Sequence, residues 1–160
     1  MKDVLQKQYA LVRGTRELVL NFLEKEVKDE LNKPVPAYDD KTIAYLLKHN
    51  ACCYFNWLAY YALQQPVDVL ESEEPKTVDI IRRHFARVDI LVAFFLDHFD
   101  GKMEVIIDGT HSGNPDERAS PLQLFTHVLT HEFHHKGQIM GICRLFGYTP
   151  PDTDVSNFFY

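Results

Sequence analysis

Apolar residues recur every three or four positions through most of the chain, in segments separated by proline or glycine. This spacing is typical of amphipathic α-helices, because 3.6 residues complete one turn and place such positions on one face. The pattern predicts four helices, over residues 4–31, 42–65, 75–101 and 120–147.

Prolines mark most of the boundaries between these segments. Pro34 follows the first segment and Pro66 follows the second, and proline interrupts a helix because it lacks an N–H group. Asp39 or Asp40 is expected to cap the second helix through its carboxylate. Pro75 is expected to open the third helix, since its fixed φ suits the first helical position.

The fourth segment has the best-marked ends. Ser120 and Gln123 have the Ser-x-x-Gln spacing of a capping box, and Pro121 suits the first helical position. Gly147 is a natural cap for the carboxyl end of the helix. Apolar residues, Leu145 among them, are expected on or beside the inward-facing side of this helix.

The connection between the third and fourth helices follows a different pattern. Residues 102–108 alternate between apolar and polar types, which predicts a short strand or an extended segment. Residues 111–119 are polar and contain Gly, Asn and Pro, which predicts a loop. The fold class predicted is therefore all-α: a four-helix bundle with a long connection between helices 3 and 4, forming one domain over residues 1–160.

Composition and charge narrow the class of protein. The net charge of −6 argues against a nucleic acid or an anionic membrane as the main partner. No apolar run reaches the roughly 18 residues of a membrane span, and the amino terminus lacks a signal-peptide core. Three cysteines, Cys52, Cys53 and Cys143, are an odd number, which favours a reduced, cytoplasmic setting over a disulfide scaffold.

Four of the eight histidines lie in the fourth segment. His127, His131 and His135 are spaced four residues apart, so they lie along one face of the helix. A histidine on an inward face needs a partner, because an unpaired polar group is costly to bury. A divalent metal ion is such a partner.

His131 and His135 lie one turn apart and point the same way, so both can reach one ion. In the second helix, His49 precedes Cys53 by one turn and lies close to the apolar side. Bundles build metal sites from inward side chains on facing helices, so His49 is expected to be the third ligand. Three protein ligands leave coordination positions for water or substrate, which is the pattern of a catalytic site.

Residues 131–135 also match the zinc-protease signature His-Glu-x-x-His, with Glu132 as the general base. The extended form of that motif fails, because Gln138 and Gly141 occupy the positions of its glycine and its last histidine. No glutamate follows Glu132 to act as a downstream ligand, and the upstream sequence predicts no multi-stranded sheet. A zinc protease is therefore a remote alternative.

The His-x-x-x-His-Lys-Gly-Gln stretch at 131–138 resembles the corresponding motif of the DinB/YfiT family of metalloenzymes. His49 and the ending Gly-Tyr-Thr-Pro-Pro-Asp at 147–152 are similar to that family as well. The resemblance covers essentially the whole chain and implies a four-helix bundle. It implies a divalent metal, often zinc or nickel, bound by His49, His131 and His135, and frequently a homodimer. Characterised relatives include thiol-dependent S-transferases, which implies a low-molecular-weight thiol as a possible cosubstrate.

Two classes of function remain open. In the first, the protein is a metal-dependent enzyme that performs S-transfer with a thiol or hydrolyses a small molecule. In the second, it is a homodimeric bundle that binds a metal or ligand without turnover.

The residues around the three histidines have more ordinary expected roles. Glu132 is expected to be solvated, and His134 to face solvent or a neighbouring helix. Cys53 is expected to pack in the core, and contact with the metal is its alternative role, since it is the one thiol near the site. His127 is expected to pack beside the site or support it, with a fourth ligand or a proton shuttle as its alternative role. Gly137, which costs roughly 1 kcal/mol in mid-helix relative to alanine, is expected where another helix approaches closely.

Overall fold

In the computed structural model, which describes residues 1–66, 75–108 and 118–159, four α-helices form the bulk of the fold. They are α1 (Lys2–Phe22), α2 (Ile43–Tyr54), α3 (Val78–His98) and α4 (Pro121–Leu145). Helix α2 packs against both α3 and α4, and α1 packs against α3 and α4. The predicted all-α four-helix fold is confirmed.

Helices α1 and α2 both continue into turns with altered hydrogen bonding. After α1 the chain forms a π-helical segment, Leu23–Val27, and then a 3₁₀ turn, Lys28–Glu30. After α2 it forms a π-helical segment at Phe55–Ala62. The predicted extents of helical backbone were therefore nearly right, but apolar spacing did not reveal the wider turns, which use i→i+5 hydrogen bonds.

The start of α2 differs from the prediction. Thr42, not an aspartate, caps the helix: its Oγ1 accepts a hydrogen bond from the N–H of Tyr45 at 2.9 Å. Asp39 and Asp40 adopt positive φ angles of 55° and 58°. They form the left-handed turn before the helix, a conformation that aspartate tolerates better than most residues.

The start of α3 was also predicted wrongly, whereas α4 was predicted closely. Thr77 caps α3 through its hydroxyl, so Pro75 lies before the cap and does not open the helix. At α4 both bonds of the capping box are present: Ser120 Oγ accepts from the Gln123 N–H at 3.3 Å, and Gln123 Oε1 accepts from the Ser120 N–H at 2.8 Å. Gly147 follows α4 with φ of 90°, as a carboxyl-terminal cap requires.

A short antiparallel ladder lies in the connection between α3 and α4. Strand β1 (Ile107–Asp108) pairs with β2 (Arg118–Ala119), with Ile107 opposite Ala119. The predicted extended segment at 102–108 is thus a strand only in its last two residues. Of the predicted loop at 111–119, residues 111–117 lie outside the described residues, and the last two form β2, so the loop prediction is wrong there.

The core runs along the inner faces of all four helices. Its largest fully buried side chains include Tyr54, Phe95 and Phe125. Leu145 is 62% exposed in the last turn of α4, so its expected place on or beside the inward side is wrong. Among the described residues, no helix is both long and apolar enough to cross a membrane.

Candidate metal centre

Helices α2 and α4 bring three histidines together. The ring of His49 lies 5.0 Å from that of His131 and 4.9 Å from that of His135, measured between centroids. The two rings on α4 are 4.5 Å apart. One ring nitrogen from each residue lies within 4.8 Å of the other two, so the three histidines singled out in the sequence form one cluster.

The three rings are partly buried, and burial favours their neutral forms. Burial and the neighbouring histidines lower the pKa of His131 to about 4. Burial also lowers the pKa of His49, and it lowers the pKa of His135 against the opposing effect of a hydrogen bond. Neutral imidazole is the form that binds metal ions.

The residues present fit a divalent ion of the zinc or nickel class. The Nε2 atom of His131 is buried and has no hydrogen-bond partner among the described residues. A buried acceptor or donor without a partner costs about 1–3 kcal/mol, and a metal ion would remove that cost. The donor set consists of imidazole nitrogens, which suit zinc, nickel and copper.

Two residues of α4 that follow His135 make defined contacts. His135 Nδ1 lies 2.6 Å from Gln138 Oε1; because that oxygen only accepts, Nδ1 carries the proton and Nε2 keeps its lone pair. Lys136 donates to the backbone oxygen of Thr153 at 2.6 Å and lies 3.7 Å from the ring centroid of Phe133. Gln138 thus fixes the tautomer of His135, and Lys136 ties α4 to the chain that follows it.

Glu132 is buried, contrary to the expectation that it would be solvated. Its two carboxylate oxygens accept hydrogen bonds from Arg16 of α1, from Nε at 2.7 Å and from Nη2 at 2.9 Å. Oε2 also accepts from the hydroxyl of Tyr54 at 2.6 Å. Arg16 donates further to Asp89 of α3 at 2.9 Å, so this polar network joins all four helices. Helical spacing predicts that Glu132 points away from the face that carries the histidines. Spacing does not reveal that Arg16 of α1 pairs with it.

The contacts of Glu132 argue against the protease alternative. A general base needs a carboxylate that can approach a water molecule beside the histidine cluster. Both oxygens of Glu132 are instead engaged by a buried guanidinium and a buried phenol. Burial and the charge of Glu132 raise the pKa of Tyr54, so its hydroxyl remains a donor to the carboxylate.

A second group of donors lies one turn along the same helices. The Sγ atom of Cys53 is 3.8 Å from Nε2 of His127, and with His131 the two supply donor atoms within 4.8 Å of one another. Cys53 is buried, as expected, and burial raises the pKa of its thiol to about 12. Sequence reasoning treated Cys53 and His127 separately. The signal that joins them is the shared four-residue spacing from His49 on α2 and from His131 on α4.

Of two further residues in the motif, one lies where it was expected and the other does not. His134 is exposed, as expected. Gly137 is exposed too, and beyond the backbone of its own helix no described heavy atom lies within 4 Å of where its Cβ would be, so the expected close approach of another helix is wrong. The close approach is instead at Gly141, whose Cβ would lie 2.8 Å from the hydroxyl of Tyr38.

Both the sequence and the fold have relatives. Over residues 1–160 the sequence matches the DinB family. The crystal structure of a DinB-like protein from Bacillus cereus is similar to this fold with a TM-score of 0.67 and 17% sequence identity, and the match covers 92% of this chain and 93% of that one. No curated protein matches the sequence. At 17% identity, the similarity to the solved structure shows a common fold.

Proposed function

Because the chain belongs to the DinB family, we propose that it binds one divalent metal ion through His49, His131 and His135. The observation that carries this proposal is the convergence of three imidazoles from two helices, donor atoms within 4.8 Å of one another. It is supported by the buried Nε2 of His131, which lacks a hydrogen-bond partner in the described part of the chain. Zinc or nickel is the proposed ion, since both accept imidazole ligands.

The proposed activity is thiol-dependent S-transfer or hydrolysis of a small molecule. Three protein ligands leave coordination positions open, and the ion, when bound, supplies Lewis acidity to a thiol or water. The chain itself presents His135 in one tautomer through Gln138 and holds α4 in place through Arg16 and Glu132. The substrate class is a small molecule, with a low-molecular-weight thiol as cosubstrate for S-transfer.

Metal content tests the site directly. Plasma mass spectrometry of the purified wild type is expected to give close to one zinc or nickel per chain, and His49→Ala and His135→Ala are expected to lose it. His134→Ala is the matched control, because His134 is adjacent on α4 but exposed and outside the cluster. Circular dichroism checks that each variant is folded.

Two results would change this picture. A wild-type protein that is metal-free and does not bind added zinc or nickel would contradict the metal site. Loss of metal in His135→Ala alone would keep a site on α4 and remove His49 from it.

The second class of function is a bundle that binds metal without turnover. Assays of thiol transfer to electrophiles and of small-molecule hydrolysis, run on the metal-loaded protein, separate the two. The enzyme predicts turnover that His49→Ala abolishes and His134→Ala retains. Metal that raises the melting temperature without turnover of any substrate would favour the binding protein.

A homodimer is also proposed, as the family resemblance implies. Apolar side chains are exposed on α3, with Ile90 72% and Phe94 50% accessible, and such surface is often covered by a symmetric partner. Light scattering coupled to size exclusion measures the mass, and a mass of one chain would contradict the dimer. The cytoplasmic setting stays a prediction from the cysteines.

A further inference from the structure

Helices α2 and α4 each carry a second potential metal-binding side chain one helical turn away from the three-histidine cluster. On α2, Cys53 follows His49 by four residues; on α4, His127 precedes His131 by four. The two helices run antiparallel here, since His49 lies beside His135 whereas Cys53 lies beside His127. The arrangement of the three-histidine cluster therefore recurs about 6 Å along the helices, with a thiol in place of one imidazole.

The distances in this second group suit a metal ion. A tetrahedral ion with bonds of about 2.3 Å to sulfur and about 2.1 Å to nitrogen holds those two atoms about 3.6 Å apart. The observed distance between Cys53 Sγ and His127 Nε2 is 3.8 Å. The rings of His127 and His131 are 5.6 Å apart between centroids, and donor atoms from all three residues lie within 4.8 Å of one another.

The surroundings give this group both a buried end and an open one. Cys53 is 6% exposed, so its sulfur is held in the core of the bundle. His127 is exposed, and the ring of Trp57 packs edge-on against it at 5.0 Å. An ion from solvent can therefore enter past His127 and reach a sulfur that packing keeps in place.

We propose that Cys53, His127 and His131 form a second metal site, which takes a thiophilic ion such as Cd²⁺ or Cu⁺. Thiolate is a soft ligand, so a site that contains Cys53 favours soft ions such as Cd²⁺ and Cu⁺. The all-nitrogen cluster of three histidines favours zinc or nickel instead. On binding, the S–H bond of Cys53 breaks, a metal–sulfur bond forms, and the proton leaves to the buffer. This site requires neither His49 nor His135, so it can be tested apart from the proposed function, but it shares His131 with the three-histidine cluster and the two sites compete for that ring.

The test is a titration of the 160-residue protein with Cd²⁺, followed by ultraviolet sulfur-to-cadmium charge-transfer absorption. This band reports a cadmium–thiolate bond and needs no activity assay. The wild type is expected to develop a band that saturates. Cys53→Ser is expected to lose the band, and His127→Ala to weaken binding by more than about tenfold, the loss seen even for residues that only support a ligand.

Matched variants assign the band to this site. Cys52→Ser and Cys143→Ser remove the other two thiols and are expected to retain it. His49→Ala is also expected to retain it, even though that variant breaks the three-histidine cluster, so failure of one site is distinguishable from failure of the other. His131→Ala, which removes the shared ring, is expected to weaken both.

Several results would overturn the proposal. They are the absence of a band in the wild type, a band that persists in Cys53→Ser, and a band that is lost in Cys52→Ser instead. Unchanged Cd²⁺ affinity in His127→Ala would do the same. If Cys53→Ser does not fold by circular dichroism, His127→Ala decides the matter, because it changes an exposed position.

Discussion

At the scale of single residues, neighbouring positions on α4 serve different parts of the molecule. His131 belongs to the histidine cluster, whereas Glu132, the next residue, is buried against Arg16 and Tyr54. A buried ion pair with satisfied hydrogen bonds contributes little net stability, but removing one partner leaves the other charge uncompensated. The role of Glu132 is thus to neutralise Arg16.

Glu132→Gln is therefore expected to lower the free energy of unfolding by about 3–5 kcal/mol, because the buried guanidinium loses its countercharge. Urea denaturation measures the change. Glu104→Gln, at an exposed glutamate, is the control and is expected to stay within about 0.5 kcal/mol of the wild type. A stable Glu132→Gln would show that the pair does not hold the helices together.

The buried thiol of Cys143 predicts a dependence of stability on alkaline pH. Burial raises its pKa from 9.0 to about 11. Between these values the unfolded chain loses the thiol proton while the folded chain keeps it, so the free energy of unfolding falls as pH rises. Below pH 9 both states hold the proton and this contribution is constant.

Comparison with Cys143→Ala isolates this effect. At about pH 8 the variant is expected to have a lower free energy of unfolding than the wild type, because the substitution leaves a cavity. This difference between the two proteins is expected to narrow by about pH 10, because only the wild type loses stability through the thiol. Urea denaturation at the two pH values gives both differences. A stability difference that is the same at both pH values would contradict the raised pKa of Cys143.

At the scale of elements, sequence patterns located helices better than they located special turns. The ends of α4 were predicted because Ser120, Gln123 and Gly147 act locally, through bonds to residues three or four positions away. The cap of α2 was misplaced by two or three residues, since Thr42 and the aspartates before it are all suitable caps. The π-helical turn at Phe55–Ala62 leaves the spacing of apolar residues almost unchanged, so the pattern did not reveal it.

Two glycines on either side of the end of α4 are expected to respond oppositely to alanine. Gly137→Ala is expected to raise the free energy of unfolding by up to about 1 kcal/mol, because Gly137 is mid-helix and a Cβ there meets no described heavy atom within 4 Å beyond its own helix backbone. Gly147→Ala is expected to lower it by about 1 kcal/mol, because φ is +90°. Urea denaturation of both variants checks the signs, and a destabilised Gly137→Ala would indicate a constraint beyond the helix itself.

At the scale of the whole molecule, the histidine cluster was predictable and the polar network was not. His131 and His135 share a helix, and His49 followed from the rule that facing helices share a metal site. The partner of Glu132 lies 116 residues away on α1, a separation that no local spacing encodes. The group of Cys53 and His127 lies between these two cases in how far it can be predicted. The four-residue spacings can be read from the sequence, but which residue of α2 lies beside which residue of α4 depends on how the two helices pack.

A metal that joins α2 to α4 should stabilise the whole bundle, because it binds the folded chain in preference to the unfolded one. At a zinc concentration 100 times the dissociation constant, the expected gain is about 2.7 kcal/mol, seen as a higher melting temperature. The wild type and His134→Ala are expected to show this shift, and His49→Ala to lack most of it. An equal shift in His49→Ala would place the zinc elsewhere.

The separation of the polar network from the histidine cluster on α4 also has a consequence for how such a protein evolves. Arg16, Glu132 and Tyr54 join the helices through contacts that do not involve His131 or His135. Selection can therefore exchange the donor residues, histidine for cysteine or for an apolar side chain, without dismantling the scaffold. A lineage built on this bundle is free to alter its histidine cluster while inheriting the same fold.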